Sequence, residues 1–438
     1  MDYTTLALAV AEQAALRRRQ RLQPVGGEGD KIFPPTYPAS EEMKRLLGER
    51  NSPPRHVFER RRINGAEVWC VLIDSVQSQA NRLEEALLTA VRDRAIELPY
   101  VTVDFGGQEL AGISEITSLD APHRVYDAIL RDSVVKGTRT RFMDSDLGRA
   151  LKKAKASDAS PLLEASPTSL LFGAWHSQGE GGGVGAKFAR CLVSEIIGIG
   201  VPVDQIAMPR GGHETVTAGQ RTGSRIDPLG ILAKVSIYQD VNNPTAWTAF
   251  EAQAARKPGG RNEPVLFSRR KGDRAGTPSV INHGNVTPGI QPLGVTCDHA
   301  EHTAVISFAG LRRLGFGSSR RDQAGRTLLA ALGLVALAEQ DARGYALRSR
   351  CDLVCDGRAP VELVHADGGA EVCTLDRDAA RQLYARAFRV ARDVGFDLRG
   401  EPRVLVPTDD LVEIVRQSQD LALRGEGGEA EDENDARA

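Results

Sequence analysis

Long apolar runs are missing from this 438-residue chain. Without a stretch of roughly 18 uncharged apolar residues it has no membrane-spanning helix, and no membrane partner is expected. Residues 1–16 are mildly apolar, but the basic cluster Arg17-Arg18-Arg19 follows them, whereas a secretory signal carries its charges first, so none is expected. Cysteine is sparse: the six, at positions 70, 191, 297, 351, 355 and 373, are too few for a disulfide scaffold and suit a reducing, cytoplasmic setting. A basic excess is also missing, since the net charge of −2 argues against a uniformly cationic nucleic-acid binder. There is no Gly-Xaa-Ser-Xaa-Gly, and no Ser/His/Asp set stands out. The glycine-rich Gly179–Gly185 lacks the Gly-Lys-Ser/Thr ending of a P-loop and the strand context of a dinucleotide fold, leaving a mobile loop or a phosphate contact as its readings.

What is present describes a globular chain, 41% hydrophobic and 26% charged, with room for two or three domains or one domain with large insertions. Charge is unevenly spread. The tail 424–438 holds six acids and two bases, a net of −4, with no aromatic or β-branched residue, and is expected to be disordered. The remainder is therefore +2, and window 131–274, with 21 Lys and Arg against 14 Asp and Glu, is +7. Arginine clusters at 17–19, 60–62, 312–313 and 320–321 offer planar forks that match phosphate oxygens; the competing reading is a salt-bridged surface.

Helical spacing predicts a helix over Tyr3–Arg21, broken by the glycine- and proline-rich stretch 24–38. Val68–Ser75 is the densest strand and runs directly into a helix over 76–95. Short helices are expected over 121–132 and 147–156, a strand or buried helix over 167–177, and a helix over Lys187–Ile199. Residues 209–292, rich in Gly, Pro, Thr and Asn, read as hairpins and loops. Thr303–Phe308 is a second clean strand, 322–341 a largely buried helix, and 347–354, 359–363 and 372–375 further strands. Helices over 376–394 and 411–423 complete the pattern. Strands and helices thus concentrate at both chain ends, which predicts one α+β core assembled from both: an N-terminal helix and irregular arm over 1–62, a core over 63–423 with insertions at about 99–300, and the tail.

Several groups carry candidate chemistry. Cys297, His299 and His302 are metal-type side chains, but no second ligand pair sits at zinc spacing, and no metal or other cofactor is expected. Gln77, Ser78, Gln79, Asn81 and Arg82 lie where the best strand turns into a helix, whose free N–H groups suit phosphates and hydroxyls; a plain N-cap by Ser75 or Ser78 is the alternative. His123 and Arg124, Trp175 and His176, and Lys187 and Arg190 place basic groups beside aromatic ones. Aromatic faces stack on unpaired bases while cations hold the backbone, although core packing of Trp175 competes. In the irregular middle, Arg210 and His213 flank two glycines, and Arg221 and Arg225 flank a third, so that backbone can approach a phosphate chain closely.

The strings DSVQSQANRLEEAL (74–87), PHRVYDAILRDS (122–133), SPTSLLFGAWHS (166–177) with KFARCLVSEIIG (187–198), and TGSRIDPLGIL (222–232) resemble the CRISPR-associated RAMP backbone subunit of the type I-G (I-U) Cascade complex; GDKIFPPTYP (29–38) resembles that family's opening. The resemblance implies an RRM-like (ferredoxin-like) palm with long inserted finger and thumb segments. It implies a non-catalytic, RNA-binding chain that polymerises on CRISPR RNA (crRNA) beside neighbouring copies of itself and other Cascade subunits. Such a chain presents the guide to target DNA and works with a separate helicase-nuclease. The alternatives are a guide-directed ribonuclease of the type III backbone kind and an RNA-binding protein unconnected with CRISPR.

Overall fold

Residues 15–24 alternate between the buried and the open side, and this alternation makes them a strand, β1 (Ala15–Pro24), not the continuation of a helix. Helix α1 stops at Glu12. The inward positions of β1 include Arg18 and Gln20 beside Leu16 and Leu22, so polar residues in the buried register hid the two-residue period. In the computed structural model the described residues are 1–39, 41, 44, 45, 48, 55–176, 187–207, 213–217, 221–258, 262–269, 275–291 and 293–423. They fall into two units, Met1–Gly219 with Leu293–Val412, and Gln220–Pro292 with Glu413–Ala438.

The first unit is built on a nine-stranded sheet whose pairings are all antiparallel. Its further elements are β2 (Phe58–Ile63), β3 (Ala66–Asp74), α2 (Val76–Arg92), β4 (Leu192–Ile199), β5 (His299–Ser307), α3 (Ser319–Arg343), β6 (Tyr345–Arg348), β7 (Cys351–Cys355), β8 (Val361–Val364), β9 (Ala370–Cys373) and α4 (Arg377–Asp393). The strand order is β6-β7-β1-β5-β4-β3-β2, with β8 pairing with both β1 and β9. Within it, β1, α2, β4, β5, α3 and β7 follow a β-α-β-β-α-β path in spatial order β7-β1-β5-β4, two split β-α-β units, with the β2–β3 hairpin added at the β4 edge.

Strand β4 and the pair Lys187–Phe188 replace the helix expected over 187–199. Val193, Ile196, Ile197 and Ile199 are β-branched, and the run Ile196–Ile199, buried on both sides of the strand, is the continuous apolar stretch that also fits a buried helix. Helix α3 approaches the sheet closely at Gly333, where an added Cβ would meet Ile306 Cδ1 at 2.7 Å. A smaller four-stranded sheet in the same unit orders Glu115–Thr117, Val101–Asp104, Arg403–Pro407 and Ser133–Val135.

The second unit contains a ribbon of Arg221–Arg225 with Val286–Gln291 and a small core of Ile237, Phe267, Val280 and Ile281. These are the hairpins and loops expected of this stretch. The tail 424–438 and the glycine loop 179–185 lie outside the described residues.

The layer between sheet and helices is polar along one continuous line. Asp341 accepts from Arg18 (2.5 and 3.0 Å) and from the Tyr345 hydroxyl (2.5 Å). Tyr345 lies 3.0 Å from His302 Nδ1, and His302 Nε2 lies 2.6 Å from Ser194 Oγ. Ser194 donates to Gln79 Oε1, and Gln79 Nε2 donates to Asp74 (2.7 Å). Asp74, fully buried, also takes Arg82 (2.9 Å) and Arg348 (3.2 Å). Burial, aided by the Arg18 charge, drives the His302 pKa well below its ordinary value, so its imidazole is neutral. Replacing Asp74 by Ala strands two half-buried guanidiniums and the Gln79 amide. D74A is expected to lose about 3–5 kcal/mol in urea unfolding, whereas R60A, which breaks the exposed Arg60–Glu67 pair, stays within about 0.5 kcal/mol.

Candidate nucleic-acid interface

Helix α2 begins with the bland alternative weighed for its first turn: Ser75 is the N-cap, its hydroxyl accepting from Ser78 N. Gln77 and Asn81, four residues apart, share an exposed face, with Ser78 half-buried beside them. Gln79 and Arg82 point the other way, into the polar layer, where Arg82 also donates to Leu347 O (2.6 Å). They hold the fold together and are not presented to a ligand.

Arg124 is likewise an interior residue. Its guanidinium makes a two-point pair with Glu84 (2.8 and 2.7 Å), donates to Gly173 O (3.0 Å) and lies 5.7 Å from the Phe172 ring centroid. Burial pushes the Glu84 carboxyl up to about 7, with the Arg124 charge and the Thr168 hydroxyl pulling it back down. The backbone turns at Gly173 (φ +87°), which lets Ala174–Trp175 pair with Lys187–Phe188.

That pairing sets Lys187 across from Trp175, its ammonium 5.7 Å from the ring centroid, and leaves Trp175 54% exposed. Arg190, exposed, follows two residues beyond Phe188 and makes no ion pair among the described residues. His123 is exposed at the start of the turn containing Arg124, while His176 is buried, its ring 5.1 Å from that of Tyr126. Burial lowers the His176 pKa, and the charges of Lys152 and Arg131 lower it further. Arg313 acts in the same way on Cys191, whose thiol burial pushes up to about 11. The exposed indole thus has Lys187 over its ring and Arg190 three residues further along the chain, whereas Arg131 and Lys152 are already paired with Asp132 (2.9 Å) and Asp144 (3.3 Å).

Arg225 belongs to the second unit, where it donates to His283 O and Gly284 O and clamps a turn. Arg210 and the side chains of His213 and Arg221 lie outside the described residues. His299 and His302 project from opposite sides of β5, and among the described residues no group of three metal-ligating side chains comes together. All six cysteines are free thiols, and among the described residues no helix is long and apolar enough to cross a membrane.

The arginine clusters follow the salt-bridged reading. On the open sheet face Arg17 pairs with Glu362, Arg19 with Glu301, and Arg61 with Glu59 and Glu195. Arg312 donates to carbonyls ending α1, and Arg321 to Phe316 O and Gly395 O.

Fold and site together describe a mixed α+β protein with an exposed indole beside Lys187 and Arg190. Residues 16–203, a span that includes Trp175, Lys187, Arg190 and the Glu84–Arg124 pair, match the family model of CRISPR-associated protein GSU0053, which supports a CRISPR-associated protein with a role in a CRISPR system. No curated protein matches the chain.

The Glu84 carboxyl, held above its ordinary 4.5 in the folded state, contributes most favourably below that value and loses this contribution as pH rises through about 7. Removing Arg124 removes the main opposing pull and lifts that pKa further. R124M is therefore expected to cost about 3–5 kcal/mol at pH 8 and distinctly less at pH 5, read by urea unfolding at the two pH values.

Proposed function

We propose that the protein is the RAMP backbone subunit of a type I-G Cascade, binding crRNA through the Trp175–Lys187–Arg190 surface and breaking no bonds itself. The observation that carries this reading is that surface: an exposed indole beside Lys187 and Arg190, neither in an ion pair among the described residues, lying within the span matched by a CRISPR-associated family. The strand order β7-β1-β5-β4 supports the RRM-like palm, with the β2–β3 hairpin and the long 200–298 insertion as additions to it. The open face of this palm is laced with Arg–Glu pairs, so the binding surface lies beside the sheet and not on it.

In this reading the guide is gripped by its phosphates and by stacking, which is indifferent to sequence and leaves base edges free to pair with target DNA. Neighbouring copies, other Cascade subunits and a helicase-nuclease are its partners, in the cytoplasm. Binding to single-stranded RNA should weaken steeply with salt. K187A/R190A removes two phosphate contacts and should flatten the log–log salt dependence by about 1.4. W175A should cost about 1–3 kcal/mol with the slope unchanged. Unaltered binding by both variants, or cleavage of a paired RNA strand by the protein alone, would overturn the proposal.

A further inference from the structure

The edge of β1 is shared between two strands. Leu22–Pro24 pair with β7, Ala15–Arg17 pair with β8, and the intervening edge faces the loop joining those strands. Gln20, fully buried, pins this loop at both ends: its Nε2 donates to Gly357 O (2.7 Å) and its Oε1 accepts from Ala359 N (2.9 Å). Arg358 is therefore held between two fixed backbone groups. It is exposed and makes no ion pair among the described residues.

Behind this loop is a cavity of about 30 Å³, lined by Arg18, Leu337, Asp341, Arg358, Val361 and Arg377 among others. Arg18 is 5% exposed, and its Nε is buried with no hydrogen-bond partner. A buried N–H left unmet is costly, the more so on a guanidinium. Its other nitrogens are committed to Asp341, His302 and Tyr345. Asp341 is itself neutralised by Arg18, and Arg377 is tied to Glu339 through Nε and Nη2. Three guanidiniums thus line the cavity, Arg18 answered by Asp341 and Arg377 by Glu339, while Arg358 makes no ion pair among the described residues; Arg358 and Arg377 stand at its solvent side.

We propose that this cavity is an anion site that takes one oxygen of a phosphate group onto Arg18 Nε, with Arg358 and Arg377 gripping the remaining oxygens at the mouth. The free space fits one or two oxygen-sized atoms and not a whole ligand, so the phosphate is free in solution or is carried at the end of an RNA strand. The site stands on its own residues, separate from those of the Trp175 surface.

The test is thermal unfolding of the full chain in sodium phosphate against sodium chloride at equal ionic strength, for wild type, R358A and K187A/R190A. Phosphate is expected to raise the wild-type Tm by roughly 1–3 °C over chloride. The rise should persist in K187A/R190A and vanish in R358A, whose Tm in chloride stays near wild type because Arg358 is exposed. A 5′-phosphorylated RNA trinucleotide that reproduces the shift, where its 5′-hydroxyl twin does not, assigns the oxygen to an RNA end; a shift with inorganic phosphate alone assigns it to the free ion. No phosphate-specific rise in wild type, or an equal rise in R358A, overturns the site. Loss of RNA binding in K187A/R190A with the phosphate shift intact would bear on the Trp175 surface alone.

Discussion

The polar line from Asp341 to Asp74 is the constraint on which the first unit depends. Sheets and helices ordinarily meet through apolar side chains, and here Leu83, Leu87, Ile306 and Leu332 supply them. Through their middle, however, run Arg18, His302, Ser194, Gln79 and Asp74, contributed by four strands and a helix. An apolar interface tolerates sliding by one residue or one turn; a chain of hydrogen bonds with charged ends does not, because every slip strands a buried donor or acceptor. Such a layer is weak evidence for net stability and better evidence for a single register. It also explains why β1, which carries three arginines in succession, lies in the centre of the sheet: Arg18 has a committed acceptor inside, and its neighbours have carboxylates outside.

Helix α2 carries that constraint to the candidate interface. Gln79 and Arg82 seat the helix on the polar layer, and Glu84, one turn further on, reaches Arg124 on the side facing away from the sheet's polar line. Arg124 in turn holds the Gly173 carbonyl, next to the strand that displays Trp175. The aromatic–cationic surface is therefore held from behind by two buried ion pairs, Asp74–Arg82 and Glu84–Arg124, spaced along a single helix. Preorganisation of this kind lowers the entropy lost when a flexible strand is bound, since only the ligand needs ordering.

Much of the fold could be read from residue patterns where the period was clean. The β3–α2 unit, β5, the buried α3 and the amphipathic α4 all follow from alternation or helical spacing, and concentration of structure at both chain ends follows from the irregular middle. The two failures share a cause. In β1 the buried positions hold Arg18 and Gln20, so polarity no longer marks the outside. In β4 the second half, Ile196–Ile199, is buried on both sides, so alternation fades there. Because β1 is the first strand of the β-α-β-β-α-β path, misreading it also hid the order that relates the four central strands. For the site, residue type was legible but commitment was not: Arg82, Arg124 and Gln79 look like ligand groups in sequence, and only the positions of Asp74, Glu84 and Ser194 show that they are already engaged.

The same distinction decides what the arginines do. Composition counts a guanidinium as a phosphate partner wherever it occurs, yet its availability depends on whether a carboxylate or carbonyl lies within about 4 Å. On the open sheet face Glu301, Glu195 and Glu362 form ion pairs with Arg19, Arg61 and Arg17, only the last of them between register partners. At Arg190 no carboxylate forms an ion pair among the described residues, and burial first, then the charge of Arg124, lowers its pKa. A surface whose cations repel one another is poised to gain from an incoming polyanion, because each phosphate relieves repulsion as well as forming a contact. In a chain of net charge −2, what matters is therefore where cations such as Lys187 and Arg190 stand without a carboxylate partner among the described residues.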